Sequence, residues 1–218
     1  MWNEPSAGVA VTALNPGGSA RNPDPAVVAT VEVGSIGEEL GFEPGDQLLS
    51  INGVRPRDLI DYRYLIVEEE LTLEVLDSSG EVHRVEFEKD ADDGLGLAFT
   101  EALFDGLRQC NNRCPFCFID QQPPGHRNSL YLKDDDYRLS FLYGSYLTLT
   151  NLSEADWSRI EQQRLTPLFV SVHATDPDLR SALLENPRAG RLLQQLEWFG
   201  ERDLLSLIHI SEPTRLSV

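Results

Sequence analysis

The segment Cys110-Asn111-Asn112-Arg113-Cys114-Pro115-Phe116-Cys117 contains all three cysteines of this 218-residue chain. The thiols follow a C-x3-C-x2-C spacing, and the Asn-Asn pair and the proline favour a loop, so the three sulfurs can converge on one soft metal centre. Three cysteines cannot all pair as disulfides. Three thiolates leave one coordination position open, which distinguishes a catalytic metal site from a closed structural one. An iron–sulfur cube bound in this way has one iron free to take a ligand.

A structural zinc site is the alternative interpretation of the same cysteines. Such a site requires a fourth ligand, and His126 is the nearest histidine in the sequence. The pattern lacks the second Cys/His pair that usually accompanies a zinc site. Three unrelated buried thiols would not be expected to fall within one short segment, so the iron–sulfur cluster is the preferred interpretation.

With the aromatic Phe116 just before the last cysteine, the segment resembles the signature loop of radical S-adenosylmethionine (SAM) enzymes. The resemblance continues in residues 99–106, which lead into the loop, and in residues 133–144, which follow it. Together with the upstream segment, these stretches resemble a bacterial family of Fe–S oxidoreductase-like proteins that join a PDZ-like domain to a radical SAM core. The resemblance covers residues 27–203.

This resemblance implies that Cys110, Cys114 and Cys117 are the metal ligands of a [4Fe–4S] cluster. It further implies that the fourth iron binds SAM and that an electron donor such as flavodoxin or ferredoxin drives the reductive cleavage of SAM. The resulting radical would abstract hydrogen from a substrate. The sequence identifies neither that substrate nor a catalytic residue of the protein itself.

Candidate SAM-binding residues follow from the same resemblance, which places polar groups at strand ends beside SAM. By position these are Thr150 and Asn151 after one strand and Ser171 and His173 at the end of the next, and the backbone around Phe116 is the expected adenine contact. The Gly-Gly-Glu run that commonly binds the SAM amine elsewhere in the superfamily is absent, so that role has no assigned residue. For His173 the alternative is a strand-end histidine that hydrogen bonds to neighbouring backbone.

The N-terminal part of the chain has the pattern of a small sheet with helices. β-branched runs, alternation and turn residues predict strands at 27–33, 48–51, 71–75 and 82–87 and helices at 38–40 and 57–69. Gly34-Ser35-Ile36, followed by residues 45–53, resembles a PDZ domain of the bacterial type. PDZ domains bind a peptide as an extra strand at a sheet edge. The alternative is a module that only docks on the catalytic core, and no residue here identifies a peptide or protein ligand.

The C-terminal part alternates strands with helices, which is the pattern of βα units in a parallel sheet. The sequence predicts strands at 102–107, 146–151 and 167–173, helix starts at Ser153 and at Thr175-Asp176-Pro177-Asp178, and a helix at 188–202. Residues 134–143 fit both a strand and a helix capped by aspartates, and the helix is favoured. The first strand would place the cysteines in a loop at the C-terminal edge of the sheet, where such folds build their sites.

These patterns predict a mixed α+β and α/β fold, in which a PDZ-like domain precedes the first part of a radical SAM partial (β/α)6 barrel. The expected divisions are a flexible N-terminal segment at 1–26, the PDZ-like domain at 27–90, a linker at 91–100, a truncated radical SAM core at 101–203 and an aberrant tail at 204–218. The tail resembles translated sequencing-adapter read-through, which predicts truncation near residue 204, although Ile208 and Ile210 suit a strand. A barrel without its later strands would not be expected to turn over substrate.

Composition argues against several classes of function. A formal net charge of −18 disfavours a nucleic-acid-binding surface, which needs clustered Lys and Arg. The acidic runs Glu68-Glu69-Glu70 and Asp134-Asp135-Asp136 are interpreted as solubilising faces or helix starts. No apolar run approaches the ~20 residues that a membrane span needs. The N-terminus lacks a signal-peptide pattern, and few cysteines fit a reducing, cytoplasmic location.

Two functions from different classes therefore remain. The preferred one is a radical SAM iron–sulfur enzyme. The alternative is a PDZ-type peptide-binding or regulatory protein with a structural metal site. Bound iron and sulfide would indicate the first, and a single bound zinc would indicate the second.

Overall fold

The structure of the chain is a computed structural model that describes residues 10–14 and 25–209. The chain folds as two compact units, Met1–Gly106 and Leu107–Val218. A β-rich PDZ-like unit followed by a more helical unit confirms the predicted mixed fold class. Among the helices of the described residues, none has the length and apolar character needed to cross a bilayer.

The N-terminal unit is built on a six-stranded sheet in which all strand pairs are antiparallel. Its elements are β1 (Ala10–Leu14), β2 (Ala26–Val31), α1 (Ile36–Glu39), β3 (Gln47–Ile51), α2 (Leu59–Leu65), β4 (Glu70–Leu76), β5 (Val82–Glu88) and β6 (Leu97–Phe99). The strand order is β1-β5-β4-β3-β2-β6. Leu48, Leu73 and Val85 lie in one hydrophobic core, because alternate residues of β3, β4 and β5 face it. The strands that the sequence predicts for this unit are confirmed.

Both helices of this unit begin at a side-chain cap. The Ser35 hydroxyl caps α1 and the buried Asp58 carboxylate caps α2, each by accepting hydrogen bonds from first-turn N–H groups. The helix predicted at 57–69 is shorter than expected, because α2 ends at Leu65. The exposed Glu68-Glu69-Glu70 run follows, and three carboxylates would be unfavourable at the negative end of a helix dipole.

Strand β6 lies inside residues 91–100, which the sequence assigned to a linker. It pairs antiparallel with β2 and therefore belongs to the N-terminal sheet. Leu95 and Leu97 are buried in the core of that unit, which explains why the segment is ordered. The acidic stretch before it marks only a turn, in which the Asp93 N–H donates to the Asp90 carbonyl at 3.0 Å.

The core strand predicted at 102–107 is wrong, because these described residues form no strand beyond an isolated bridge. The segment runs beside the start of α2 instead. The Leu59 N–H donates to the Ala102 carbonyl and the Phe104 N–H donates to the Arg57 carbonyl, both at 2.9 Å. The Phe104 ring packs edge-on against an aromatic ring of β6, with 5.2 Å between centroids. The apolar residues that suggested a strand thus cover the core of the N-terminal unit.

Strand β1 lies inside residues 1–26, where composition predicts a flexible lead-in. Its backbone pairs with β5, from Ala10 opposite Glu86 to Leu14 opposite Val82. Residues 10–14 therefore form a strand and not a flexible lead-in, because the edge of β5 offers them unpaired backbone groups. The remaining residues before Pro25 lie outside the described residues.

The C-terminal unit contains a three-stranded parallel sheet with helices between its strands. Its elements are α3 (Tyr137–Tyr143), β7 (Tyr146–Leu147), α4 (Glu154–Gln162), β8 (Leu168–Ser171), α5 (Pro177–Leu184), α6 (Leu192–Gly200) and β9 (Ser206–His209), with 3-10 helices at Asn128–Tyr131 and Pro187–Arg191. The strand order is β7-β8-β9. The predicted βα units are confirmed, and within the described residues these strands do not close into a barrel.

The sequence signals for helix starts in this unit are confirmed. Ser153 caps α4 and Asp176 caps α5. The stretch that fitted both strand and helix forms α3, which Asp136 caps. The strand predicted at 146–151 is reduced to β7, because Leu149 takes a positive φ of 60° that ends it.

Strand β9 lies inside residues 204–218, the predicted aberrant tail. It pairs in parallel with β8, from Leu168 beside Ser206 to Ser171 beside His209. The suitability of this stretch for a strand is therefore confirmed. Residues 210–218 lie outside the described residues, so the origin of the tail stays a prediction.

Candidate metal centre

The cysteine loop is attached by its backbone to two other segments of the C-terminal unit. The Cys110 N–H donates to the Lys133 carbonyl at 2.7 Å, and the Arg113 N–H donates to the carbonyl of the last residue of α5 at 3.0 Å. A turn in which the Cys117 N–H donates to the Cys114 carbonyl, at 3.0 Å, brings the last two cysteines together. All three thiols are free and partly buried, so they are available as metal ligands.

The ammonium group of Lys133 lies beside the cysteine loop. Its Nζ donates to the Asp120 carboxylate at 2.7 Å and to the Asn112 carbonyl at 3.2 Å. Its positive charge acts to lower the pKa values of the Cys110 and Cys114 thiols. A cation therefore lies next to a loop whose sulfurs would be negatively charged as metal ligands.

Burial works against thiolate formation in this loop. It raises the pKa of the Cys110 thiol to about 11, and it raises the pKa of Cys114, where the neighbouring Cys117 adds to the effect. Hydrogen bonds from Asn112 partly oppose the rise at Cys110. Because metal ligands must be thiolates, binding of a metal centre would release protons from this loop.

The three sulfur atoms are not close enough to one another to coordinate a single zinc ion. Tetrahedral ligands at the Zn–S distance of about 2.3 Å would place sulfurs about 3.8 Å apart. In the described residues, the three thiols do not form a group whose mutual distances all fall within 4.8 Å. His126, the alternative fourth ligand, is exposed, and its backbone N–H donates to the Tyr131 hydroxyl at 2.9 Å.

A second set of metal-ligand side chains lies in the β4–β5 hairpin. Among the described residues, the ligand atoms of Asp77, Glu81 and His83 do fall within 4.8 Å of one another. Asp77 uses one carboxylate oxygen to accept turn N–H groups from Ser79 at 2.8 Å and Glu81 at 2.9 Å, and the other lies 2.9 Å from His83 Nε2. The hairpin turn therefore accounts for this cluster.

A series of hydrogen-bonded polar side chains, buried or partly buried, links the cysteine loop to the sheet. Asp135 Oδ2 accepts from the Thr148 hydroxyl at 2.6 Å, and Thr148 Oγ1 accepts from Asn112 Nδ2 at 2.9 Å. The same Nδ2 donates to Cys110 Sγ at 3.2 Å. Asn112 Oδ1 accepts from Asn186 Nδ2 at 2.7 Å. The Cys110 sulfur is thus connected both to the end of β7 and to the segment that follows α5.

The aspartates next to these hydrogen-bonded side chains do not form a solvated surface, because Asp135 and Asp136 are buried. The alternative interpretation, a helix start, is correct for Asp136, which also pairs with Arg138 Nη2 at 2.7 Å. Burial opposes ionisation of Asp136, but hydrogen bonding and charge from Arg138 outweigh it, so its pKa is lowered. Burial dominates at Asp135, whose pKa is raised although the Thr148 N–H and hydroxyl both donate to it.

Arg180 of α5 is fully buried at the ends of the parallel strands. Its Nε donates to the Val172 carbonyl at 2.7 Å and its Nη1 to the Ala189 carbonyl at 2.6 Å. Its Nη2 donates to the carbonyls of Thr148 at 2.9 Å and Ser171 at 3.0 Å. Burial lowers the pKa of Arg180 to about 10. One guanidinium therefore joins the ends of β7 and β8 to the 3-10 helix before α6.

Two of the predicted SAM-binding residues meet in the structure. The ring centroids of Phe116 and His173 lie 5.3 Å apart. His173 takes a positive φ of 62° just after β8, a conformation that is uncommon outside glycine and often occurs at functional sites. The Thr150 hydroxyl, just beyond β7, lies 3.1 Å from Asn112 Oδ1. The cysteine loop is therefore in contact with residues that follow both strands.

The other two predicted SAM-binding residues lie at the same strand ends. Asn151 Nδ2 donates to the carbonyls of Asp135 at 2.9 Å and Gln109 at 3.3 Å. Asn151 Oδ1 is buried and has no hydrogen-bond partner within the described residues. Ser171 accepts from Arg180 through its carbonyl. A buried oxygen without a partner is costly, so Asn151 Oδ1 offers an acceptor that a bound ligand could satisfy.

The sequence interpretation missed the residues that support this loop. The missed residues are Asn112, Lys133, Thr148, Arg180 and Asn186. The Asn-Asn pair was a usable signal, since asparagine between metal ligands can turn the chain and also donate N–H groups to sulfur. No local pattern distinguishes the other four from ordinary surface residues.

Comparison with protein families finds two matching domains. A family model described as a Radical SAM-like domain matches residues 89–210, more than half of the chain, and one described as a PDZ domain matches residues 27–77. The first match includes residues 204–210, which the sequence assigned to the aberrant tail. A search of curated proteins finds no matching relative. The chain therefore belongs to the radical SAM-like family, with a PDZ domain preceding its radical SAM-like domain.

Proposed function

We propose that the radical SAM-like domain binds a [4Fe–4S] cluster through Cys110, Cys114 and Cys117 and binds SAM at the iron without a cysteine. When bound, the cluster would supply the electron for reductive cleavage of SAM, which begins hydrogen abstraction from a substrate. The observation that carries the proposal is that three free, partly buried thiols lie in one short loop whose backbone is anchored to two neighbouring segments. Thiolate is the usual ligand of such clusters, and three donors leave one position open.

The chain's own residues would bind and orient these ligands. The cysteines would lose their protons on binding, and Lys133 would offset part of the added negative charge. The Phe116–His173 ring pair offers an aromatic surface for the adenine of SAM. Asn151 Oδ1, buried without a partner among the described residues, would accept a hydrogen bond from SAM. Thr150 and Ser171 would line the same strand ends.

The proposal also covers the electron donor, the cellular compartment and the class of substrate. Reduction would come from a donor such as flavodoxin or ferredoxin, and free thiols fit a reducing compartment such as the cytoplasm. The net charge of −18 argues against a nucleic-acid substrate.

Anaerobic reconstitution with iron and sulfide tests the proposal. Wild-type protein should take up about four irons and four sulfides per chain, as a [4Fe–4S] cluster requires. Cys114→Ser should lose most of that uptake, because it removes one of the three ligands. Phe118→Ala, which changes an exposed side chain of the same loop, should retain it. One bound zinc without sulfide would contradict the proposal and favour the structural metal site.

A second function is supported by the position of β6. Within the described residues, β6 lies at one end of the sheet order with β2 as its neighbour, and Ala98 is exposed. An edge strand presents unpaired N–H and C=O groups, to which PDZ domains add a peptide strand. We propose that the N-terminal unit, which contains the PDZ domain, binds an extended peptide there.

A peptide array followed by amide hydrogen exchange on the full chain tests peptide binding. A bound peptide should slow exchange at residues 97–99, because it would pair with the free edge of β6. The absence of any binding peptide would contradict the proposal and favour a module that only docks.

A further inference from the structure

The side-chain amide of Asn112 has four hydrogen-bond contacts. Its Oδ1 accepts from Asn186 Nδ2 at 2.7 Å and lies 3.1 Å from the Thr150 hydroxyl. Its Nδ2 donates to Thr148 Oγ1 at 2.9 Å and to Cys110 Sγ at 3.2 Å. A primary amide has two donor hydrogens and two acceptor lone pairs, so its whole hydrogen-bonding capacity is used.

The partners determine which way this amide faces. Asn186 Oδ1 accepts the Arg188 N–H at 3.0 Å, so the Asn186 nitrogen is the atom that faces Asn112. That nitrogen can only donate, and it therefore requires the oxygen of Asn112. On the other side, the Thr148 hydroxyl donates to Asp135 at 2.6 Å and is left to accept an N–H. A flipped Asn112 amide would break its hydrogen bonds to both Asn186 and Thr148. The remaining N–H of Asn112 must therefore point to the cysteine sulfur.

We infer that Asn112 is a positioning residue for the metal centre. Its N–H holds the Cys110 sulfur as a ligand and raises the reduction potential of the cluster bound there. An N–H···S bond withdraws negative charge from the sulfur, so it favours the reduced state of the cluster, which is the more negative one. Asn112 is only 2% exposed, so water does not compete for this bond. The inference rests on the proposed cluster binding.

Two aspartate variants of neighbouring residues test this role. Asn112→Asp keeps the size of the side chain but has no N–H to donate to Cys110. Asn111→Asp is the matched control, because it adds the same charge one residue away on an exposed side chain. Both proteins are reconstituted as full chains, checked for folding by circular dichroism, and titrated with reductant while the cluster is followed by electron paramagnetic resonance.

The expected result is a lower reduction potential in Asn112→Asp than in Asn111→Asp. The reduction equilibrium should differ by about tenfold, which is about 59 mV for one electron. Asn112→Ser, a neutral side chain too short to reach Cys110, should shift the potential in the same direction. This variant is used if Asn112→Asp does not fold.

Each outcome decides the inference. A folded Asn112→Asp or Asn112→Ser protein that loses its cluster, while Asn111→Asp keeps it, supports the positioning role. Potentials that are equal in the two aspartate variants, with Asn112→Ser at the wild-type value, overturn the role of Asn112 and leave cluster binding intact. A wild-type chain that takes up neither iron nor sulfide overturns both the inference and the proposed function.

Discussion

Arg108 and Asp156 form a two-pronged ion pair, with Nη1 at 2.6 Å from Oδ2 and Nη2 at 2.9 Å from Oδ1. Arg108 lies two residues before Cys110, and Asp156 belongs to the first turn of α4. The pair therefore ties the start of the cysteine loop to the helix that follows β7. Burial opposes ionisation of Asp156, but hydrogen bonds from Arg108 and Ser153 outweigh it and lower its pKa to about 2.

Asp156→Ala should lower the free energy of unfolding of the C-terminal unit by about 2–4 kcal/mol, because it leaves a partly buried guanidinium unpaired and removes part of a helix cap. A carboxylate with a lowered pKa stabilises the folded state above its ordinary pKa near 4, and this contribution is lost as the pH falls towards about 2. The difference between wild type and variant should therefore shrink over this range. Urea unfolding followed by the fluorescence of Trp157 and Trp198 measures it.

The exposed pair between Arg84 and Glu86 is the control for this prediction. Its nitrogen and oxygen lie 2.8 Å apart, but the side chains are 47% and 49% exposed. Glu86→Gln should change the free energy of unfolding of the N-terminal unit, followed by circular dichroism, by less than about 1 kcal/mol. A difference between wild type and Asp156→Ala that stays constant from pH 6 to pH 2.5 would contradict the ionised state assigned to Asp156.

Arg180→Met should destabilise the C-terminal unit by about 3–5 kcal/mol, because it removes the buried guanidinium that donates to four backbone carbonyls. Arg180→Lys keeps the charge but has three donors and no planar fork, so it should recover only part of the loss. Thermal unfolding at pH 7 measures both variants. Arg188→Met, at an exposed side chain, is the control. Equal melting temperatures for Arg180→Met and this control would show that Arg180 does not hold the strand ends together.

The helix starts and the parallel sheet could be predicted because their signals are local. Ser153 and Asp176 act on N–H groups within their own first turns. The support of the cysteine loop could not be predicted, because its partners are far apart in sequence: Asn112 bonds to Asn186 across 74 residues. Asp135 illustrates the same limit, since a run of aspartates has the same local pattern whether it is solvated or buried.

The residue just before β6 supplies a further prediction. Gly96 takes a positive φ of 69°, and an added Cβ would overlap the Cβ of Ser35. Gly96→Ala should destabilise the N-terminal unit by about 2–4 kcal/mol, from the left-handed backbone and the overlap together. Gly94→Ala meets no atom within 4 Å and should change stability by less than about 0.5 kcal/mol. Urea unfolding followed by circular dichroism measures both. If residues 91–100 were only a linker, both substitutions would be silent.

The coordination position that Cys110, Cys114 and Cys117 leave open is the central claim of this account. The most direct test is the electron paramagnetic resonance spectrum of the reconstituted, reduced chain, recorded with and without SAM. The account predicts a [4Fe–4S] signal whose g values change when SAM is added, because SAM binds the iron that has no cysteine. A cluster signal that saturating SAM leaves unchanged, or a chain that binds zinc and no cluster, would contradict it.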